Sequence, residues 1–177
     1  MEKTLKSSAL NYGIYLGLIF AVLTVIGYAV YLDLFTQWWF GIGSLLLIIV
    51  FGIISSVKAR KLLGGFISFK NAFTAYFITI LVALVISTIV NLIIFNVVDP
   101  DAALVLKEKI IESQMAMMER FGAPQESIDQ TIAQLRAQDN MFSIGSIFKS
   151  LAYQLVGFSI VGLIVAAVVK RKDPNAA

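Results

Sequence analysis

The sequence contains neither cysteine nor histidine among its 177 residues. The usual zinc, haem and iron–sulfur ligand sets therefore cannot form. The Ser-His-Asp and Cys-His arrangements of nucleophilic enzymes are excluded for the same reason. A GxxxxGKS/T phosphate loop and a GxGxxG turn after a strand are also missing. We expect a protein that is not an enzyme and that holds no cofactor and no metal.

Charge is scarce as well. Charged residues make up 14% of the chain and hydrophobic residues 59%, whereas a soluble domain has roughly 25% and 45–50%. This composition excludes a soluble globular domain and a disordered chain. It is typical of an integral membrane protein.

Four apolar runs are each long enough to cross a bilayer as a helix, which needs roughly 20 residues. Because none alternates apolar and polar residues, a membrane barrel is not expected. We predict an all-α, polytopic single domain with a four-transmembrane-helix bundle. The predicted helices cover about 9–32, 38–57, 71–98 and 147–169. No acidic or basic residue lies in the core of these runs, which argues against a proton-coupled transporter.

The loops differ in charge. The termini and the 58–70 loop carry nine basic and two acidic residues, whereas the 33–37 turn and the 99–149 segment carry five basic and nine acidic ones. By the positive-inside rule, both termini lie in the cytoplasm. We predict a multi-pass protein of the bacterial inner membrane.

The segment after the third run is predicted to form a helical hairpin outside the membrane, at about 100–137. Asp99 is suited to cap its first helix, and Gly122 is suited to end that helix. The first helix has a broad apolar stripe that needs a partner surface, namely its own hairpin, the outer ends of the membrane helices, or another chain. The candidate partner contacts are Leu104, Ile111, Met115 and Met118. A copper(I) site is not expected, because Met117 lies on a different face from Met115 and Met118.

Two further features are candidate binding sites. The third run contains a polar stripe at Thr79, Ser87 and Asn91, which is typical of a packing seam and less often of a ligand path. Gly13 and Gly17 form a GxxxG pair that we expect to hold the bundle together. The basic 58–70 loop either sets the topology alone or also binds anionic lipid. Its candidate lipid contacts are Lys58, Arg60, Lys61 and Lys70.

The GGFISFKNAF segment at 64–73, the helical outer insert and the KRKDP tail at 170–174 resemble a family of small Bacteroidetes membrane proteins, domain of unknown function 4199. The resemblance covers nearly the whole chain. It implies the four-helix layout but no catalytic residues. Genes of such proteins often lie beside glycosyltransferases of the polyprenyl-phosphate type, so the resemblance implies such an enzyme as a partner.

Two functions follow as hypotheses. The first is a non-enzymatic subunit or scaffold of a membrane complex, in contact with lipid and with another membrane protein or a second copy of itself, and not with nucleic acid. The alternative is a small lipid-handling or transport protein that acts through the polar stripe of the third helix.

Overall fold

A computed structural model describes residues 2–137 and 142–172. Four of its helices are long and apolar enough to cross a membrane, so the protein is a multi-pass membrane protein with the predicted four-helix layout. In chain order the helices are α1 (Glu2–Val30), α2 (Trp38–Leu62), α3 (Phe69–Ile93), α4 (Pro100–Arg120), α5 (Gln125–Ala137) and α6 (Ile144–Val169). A 3-10 turn, Leu32–Thr36, joins α1 to α2, and a π turn, Ile94–Val98, extends α3.

Helix α3 lies at the centre of the bundle. It packs against α1, α2 and α6, whereas α1 and α6 do not touch each other. Close packing is possible because glycines face α3 from all three neighbours. A Cβ on Gly13 would lie 2.7 Å from Val82, and one on Gly17 would lie 2.8 Å from Ile86. The GxxxG pair therefore holds α1 against α3, as the sequence predicted.

Tyr76 of α3 is the largest fully buried side chain of this core. Its ring packs between Gly52 of α2 and Gly162 of α6, where a Cβ at Gly162 would come within 2.6 Å of the ring. The Tyr76 hydroxyl is buried, and no hydrogen-bond partner for it is found in the described part of the chain. The Tyr76 ring thus fills the space where α2 and α6 approach α3, within a core that also contains buried aliphatic side chains.

The membrane helices extend beyond the predicted runs at the basic end. Helix α1 begins near residue 2 rather than 9, because Leu5 and Ala9 are both buried and keep the polar first turns on the bundle. Helix α2 continues to Leu62, where Arg60 and Lys61 lie in its last turn and stabilise the negative helix end. A charged residue ends an apolar run, but it does not end a helix.

Three further helix ends differ from the predicted bounds because of local interactions. Helix α3 starts at Phe69 rather than 71, because the Ser68 side chain accepts a hydrogen bond from the Asn71 amide at 3.2 Å. Helix α6 starts at Ile144 rather than 147, where Ser143 caps it in the same way. Helix α1 stops at Val30 because the 3-10 turn begins at Leu32.

The predicted outer hairpin is present as α4 and α5. The Asp99 side chain accepts a hydrogen bond from the Ala102 amide at 3.0 Å, which is the predicted N-cap. Gly122 has a φ of +70°, and the Ala123 amide donates to the Met118 carbonyl, so α4 ends in a Schellman motif. Helix α5 then packs back along α4.

Helix α4 also rests on the ends of the membrane helices that lie opposite the basic loop. Leu106 and Ala103 are buried in a small cluster with Ile94 and Phe95, and Tyr28 and Phe35 pack against it. Lys109 forms an ion pair with Asp33 of the 3-10 turn at 2.5 Å, and the Ser113 hydroxyl donates to the Thr36 carbonyl. The hairpin is therefore docked on its own bundle.

Candidate functional site

The polar stripe of α3 falls into two separate environments. Thr79 is fully buried, and its hydroxyl lies 2.7 Å from the Ser55 hydroxyl and 3.0 Å from the Ala9 carbonyl. Ser55 and Ser56 of α2 donate to the Ala75 and Ala72 carbonyls of α3. These hydroxyls join α1, α2 and α3 in a sealed network, so Thr79 belongs to the packing of the bundle.

Ser87 and Asn91 lie instead in an open cleft between α3 and α6, with a volume of about 240 Å³. The Asn91 side-chain NH₂ group donates to the Ser87 carbonyl at 2.8 Å. The Asn91 side-chain oxygen accepts no hydrogen bond from any residue that the structure describes. The polar residues of the cleft are Ser87, Thr88 and Asn91 of α3 and Ser150 and Gln154 of α6. Sequence reasoning missed Ser150 and Gln154, because they lie on a different helix.

Gln154 is the most unusual residue of this cleft. It lies ten residues from the start of α6 and fifteen from its end, or about 15 Å and 22 Å along the axis. From Ser150 to Val169 the helix has no charged residue, so Gln154 lies within its uncharged part. Gln154 is exposed and forms no hydrogen bond with any residue that the structure describes. An amide without a hydrogen-bond partner costs several kcal/mol when it faces lipid.

The apolar stripe predicted on α4 is only partly exposed for contact with a partner protein. Ile111 is 1% exposed, because α5 covers the middle of α4, where Arg136 pairs with Glu108 at 3.7 Å. Leu104 and Met115 are exposed and Met118 is half-buried. Ile111 therefore belongs to the hairpin core, and a partner would meet the two ends of the stripe separately.

The four basic residues predicted to contact lipid point in different directions. The Arg60 guanidinium donates to the Val169 carbonyl at the end of α6, at 3.5 Å, so it ties α2 to α6. Lys61 and Lys70 are exposed. Lys58 instead faces α1 across a groove that also contains Lys3. The sequence did not predict Lys3 as a lipid contact. Lys3 and Lys58 are 55 positions apart, and the sequence does not show that they face each other.

The two short motifs behind the family resemblance are in contact. Ile67, within the 64–73 segment, and Arg171, within the 170–174 tail, exchange both backbone hydrogen bonds at 2.9 Å. The Arg171 guanidinium lies 5.8 Å from the centre of the Phe66 ring, within the range of a cation–π interaction. Arg171 thus joins the segment that follows α6 to the α2–α3 loop at the basic end of the bundle.

The chain matches the family described as Protein of unknown function (DUF4199) over residues 11–171. The protein belongs to the DUF4199 family. The match includes all four membrane helices in whole or in large part, and it supports the resemblance seen in the sequence. No curated protein and no solved structure matches the chain. The DUF4199 chain is therefore interpreted from its own geometry.

Proposed function

We propose that this DUF4199 protein is a non-enzymatic subunit or scaffold of a membrane complex. It resides in the bacterial inner membrane with both termini in the cytoplasm. The charge difference between its two sides supports this orientation, since basic loops are retained in the cytoplasm. The absence of histidine and cysteine removes the commonest catalytic groups and supports a non-catalytic role.

One observation carries the proposal, namely the polar cleft between α3 and α6 with the unpaired Gln154 on its rim. Polar side chains inside a bilayer associate helices, because lipid offers them no hydrogen bonds. The occupant we propose is a membrane-spanning helix of a second protein. It carries a polar side chain at the depth of Gln154 and Asn91. The exposed apolar residues Leu104 and Met115 of α4 extend the contact surface outside the membrane.

The family resemblance directs the choice of partner. A glycosyltransferase of the polyprenyl-phosphate type is the first protein to test, because genes of such enzymes often lie beside those of this family. In that complex the DUF4199 chain supplies no catalytic group. It positions or stabilises the membrane part of the enzyme.

The experiment is purification of the tagged protein from native membranes in a mild detergent, followed by mass spectrometry of the retained proteins. We expect a second membrane protein at fixed stoichiometry. Gln154→Leu removes the unpaired amide and should release that partner. Tyr153→Leu changes the neighbouring side chain, which is 67% exposed but lies outside the cleft, and should retain the partner.

Three results would count against this function. The first is a chain that purifies alone as a monomer. The second is a partner retained equally by the wild type and Gln154→Leu. The third is a complex made only of copies of this chain. If the chain instead retained a single lipid species and no protein, the lipid-handling alternative would replace it, with Asn91→Leu as the next variant.

A further inference from the structure

A second polar groove lies at the basic end of the bundle, between the first turns of α1 and the last turns of α2. Its volume is about 540 Å³. Among the residues whose side chains the structure describes, seven line the groove, of which six are polar and none is acidic. They are Lys3, Thr4, Ser7, Ser8 and Asn11 of α1 and Lys58 of α2, with Leu62 as the apolar member.

The polar side chains of this groove are all hydrogen-bond donors. Two ammonium groups, three hydroxyls and one amide line it. None of them forms a hydrogen bond or an ion pair with another residue in the described part of the chain. The positions 3, 7 and 11, spaced four apart, place Lys3, Ser7 and Asn11 on one face of α1. Lys58 provides the charge on the facing helix, so the groove has a cation on each wall.

The apolar surface next to the groove favours a lipid over a free ion. Along the same face of α1, Ile14 and Leu18 follow Asn11 and are exposed, and on α2 Ile54 precedes Lys58 by one turn and is also exposed. Donor groups therefore stand at the end of the span, and lipid-facing aliphatic side chains continue from them into the hydrocarbon layer. This order matches a phosphate head group followed by acyl chains.

We propose that the groove between α1 and α2 is a binding site for an anionic phospholipid. Lys3 and Lys58 hold the phosphate from opposite sides, and Thr4, Ser7, Ser8 and Asn11 donate to its oxygens or to the glycerol part of the head group. The acyl chains lie along Ile14, Leu18 and Ile54. This site is at the opposite end of the membrane from the hairpin and does not depend on the proposed complex.

The test compares two double variants with the same loss of charge. Lys3→Gln with Lys58→Gln removes both cations of the groove. Lys61→Gln with Lys70→Gln is the matched control, because these lysines are exposed at the same end but do not line the groove. Each protein is reconstituted in nanodiscs of phosphatidylcholine with one-tenth phosphatidylglycerol and is re-extracted in mild detergent. Native mass spectrometry then counts the retained phosphatidylglycerol.

We expect about one phosphatidylglycerol per chain in the wild type and in the control variant. The groove variant should lose binding by at least about tenfold, since each lysine near an anionic lipid contributes about 1 kcal/mol. Ser7→Ala with Ser8→Ala should weaken retention with no change in charge. The ratio of phosphatidylglycerol to phosphatidylcholine thus reports on the groove itself.

Several results would overturn the proposal. Equal loss in the two lysine variants would mean that only the overall charge attracts lipid. No enrichment in the wild type would mean that the groove does not bind phosphatidylglycerol. Inorganic phosphate at millimolar concentration could also displace the phosphatidylglycerol and bind equally well to the protein in lipid-free micelles. That result would mean that the groove binds a free anion. Thermal unfolding of each variant in detergent controls for misfolding, and Ser7→Ala with Ser8→Ala gives a second test that leaves both lysines in place.

Discussion

At the scale of single residues, Tyr76 shows how this bundle accommodates large and small side chains. Glycines from α2 and α6 make room for its ring, while its hydroxyl is buried without a hydrogen-bond partner in the described residues. A buried hydroxyl without a partner lowers stability by about 1–3 kcal/mol. The ring therefore stabilises the packing, whereas the hydroxyl destabilises it.

Tyr76→Phe should raise the free energy of unfolding by about 1 kcal/mol, because it removes the unpaired hydroxyl and keeps the ring. Thermal or detergent-induced unfolding of the purified protein measures this change. A loss of stability in Tyr76→Phe would contradict the expectation, since it would reveal a partner for the hydroxyl.

Gly162→Ala tests the other half of the same contact. Its added methyl group would come within 2.6 Å of the Tyr76 ring, so the expected effect is a destabilisation of about 1–3 kcal/mol from overpacking. Gly157→Ala, on the same helix, is the control, because nothing lies within 4 Å of its added carbon. If the two alanine variants unfolded alike, the close packing of α6 on Tyr76 would be wrong.

At the scale of elements, the α4–α5 hairpin is held to the bundle mainly by α4. A small apolar cluster and the Asp33–Lys109 ion pair both join α4 to the segment around the 3-10 turn. The hydrogen bond from Lys109 to Asp33 raises the pKa of the Lys109 ammonium above its ordinary value. Since this pKa is higher in the folded protein, the ion pair contributes to stability below the pKa of an unfolded lysine. The contribution is lost as the pH rises through the folded value.

Lys109→Ala should loosen α4 without unfolding the bundle, because a single ion pair near the surface contributes little to global stability. Hydrogen exchange of the α4 amides measures the effect, which should be faster exchange in α4 and unchanged exchange in α3. In the wild type the same loosening should appear only above the ordinary lysine pKa of 10.5. The exchanged pair Asp33→Lys with Lys109→Asp should restore protection. Equal protection of α4 in all variants would mean that the apolar cluster alone holds the hairpin.

At the scale of the whole molecule, four spans place the hairpin on the opposite side of the membrane from the basic loop. The chain has no cysteine, so single cysteines report topology without a background. Met115→Cys on α4 should react with a membrane-impermeant maleimide in intact cells. Lys61→Cys, in the last turn of α2, should react only after permeabilisation. Labelling of both from the same side would contradict the four-span topology, and the reverse order would invert the proposed orientation.

Much of the fold could be predicted from the sequence, because length and apolar composition determine which segments cross a bilayer. The hairpin was equally predictable, since its signals are local: Asp99 before Pro100, and Gly122 at the end of α4. The helix starts at residues 2 and 69 were less visible, because the burial of Leu5 and the cap by Ser68 depend on contacts that periodicity does not display.

The candidate sites were less predictable than the spans. The four-residue spacing grouped Ser87 and Asn91, which line one cleft, with Thr79, whose hydroxyl is used inside the core. A stripe on one helix does not show which neighbour covers each turn. For the same reason Ile111 was assigned to the α4 surface, although α5 buries it.

By itself, the sequence determined that this is a membrane protein with four spans and a helical hairpin whose apolar stripe needs a partner surface. It also determined that the two sides of the bundle differ in charge. These properties depend on composition and local order. Only the tertiary structure brought Lys3 opposite Lys58, Gln154 beside Asn91, and Ile67 against Arg171. Each of these pairs joins residues from different helices or loops, and helix packing sets which residues meet across such distances in the chain.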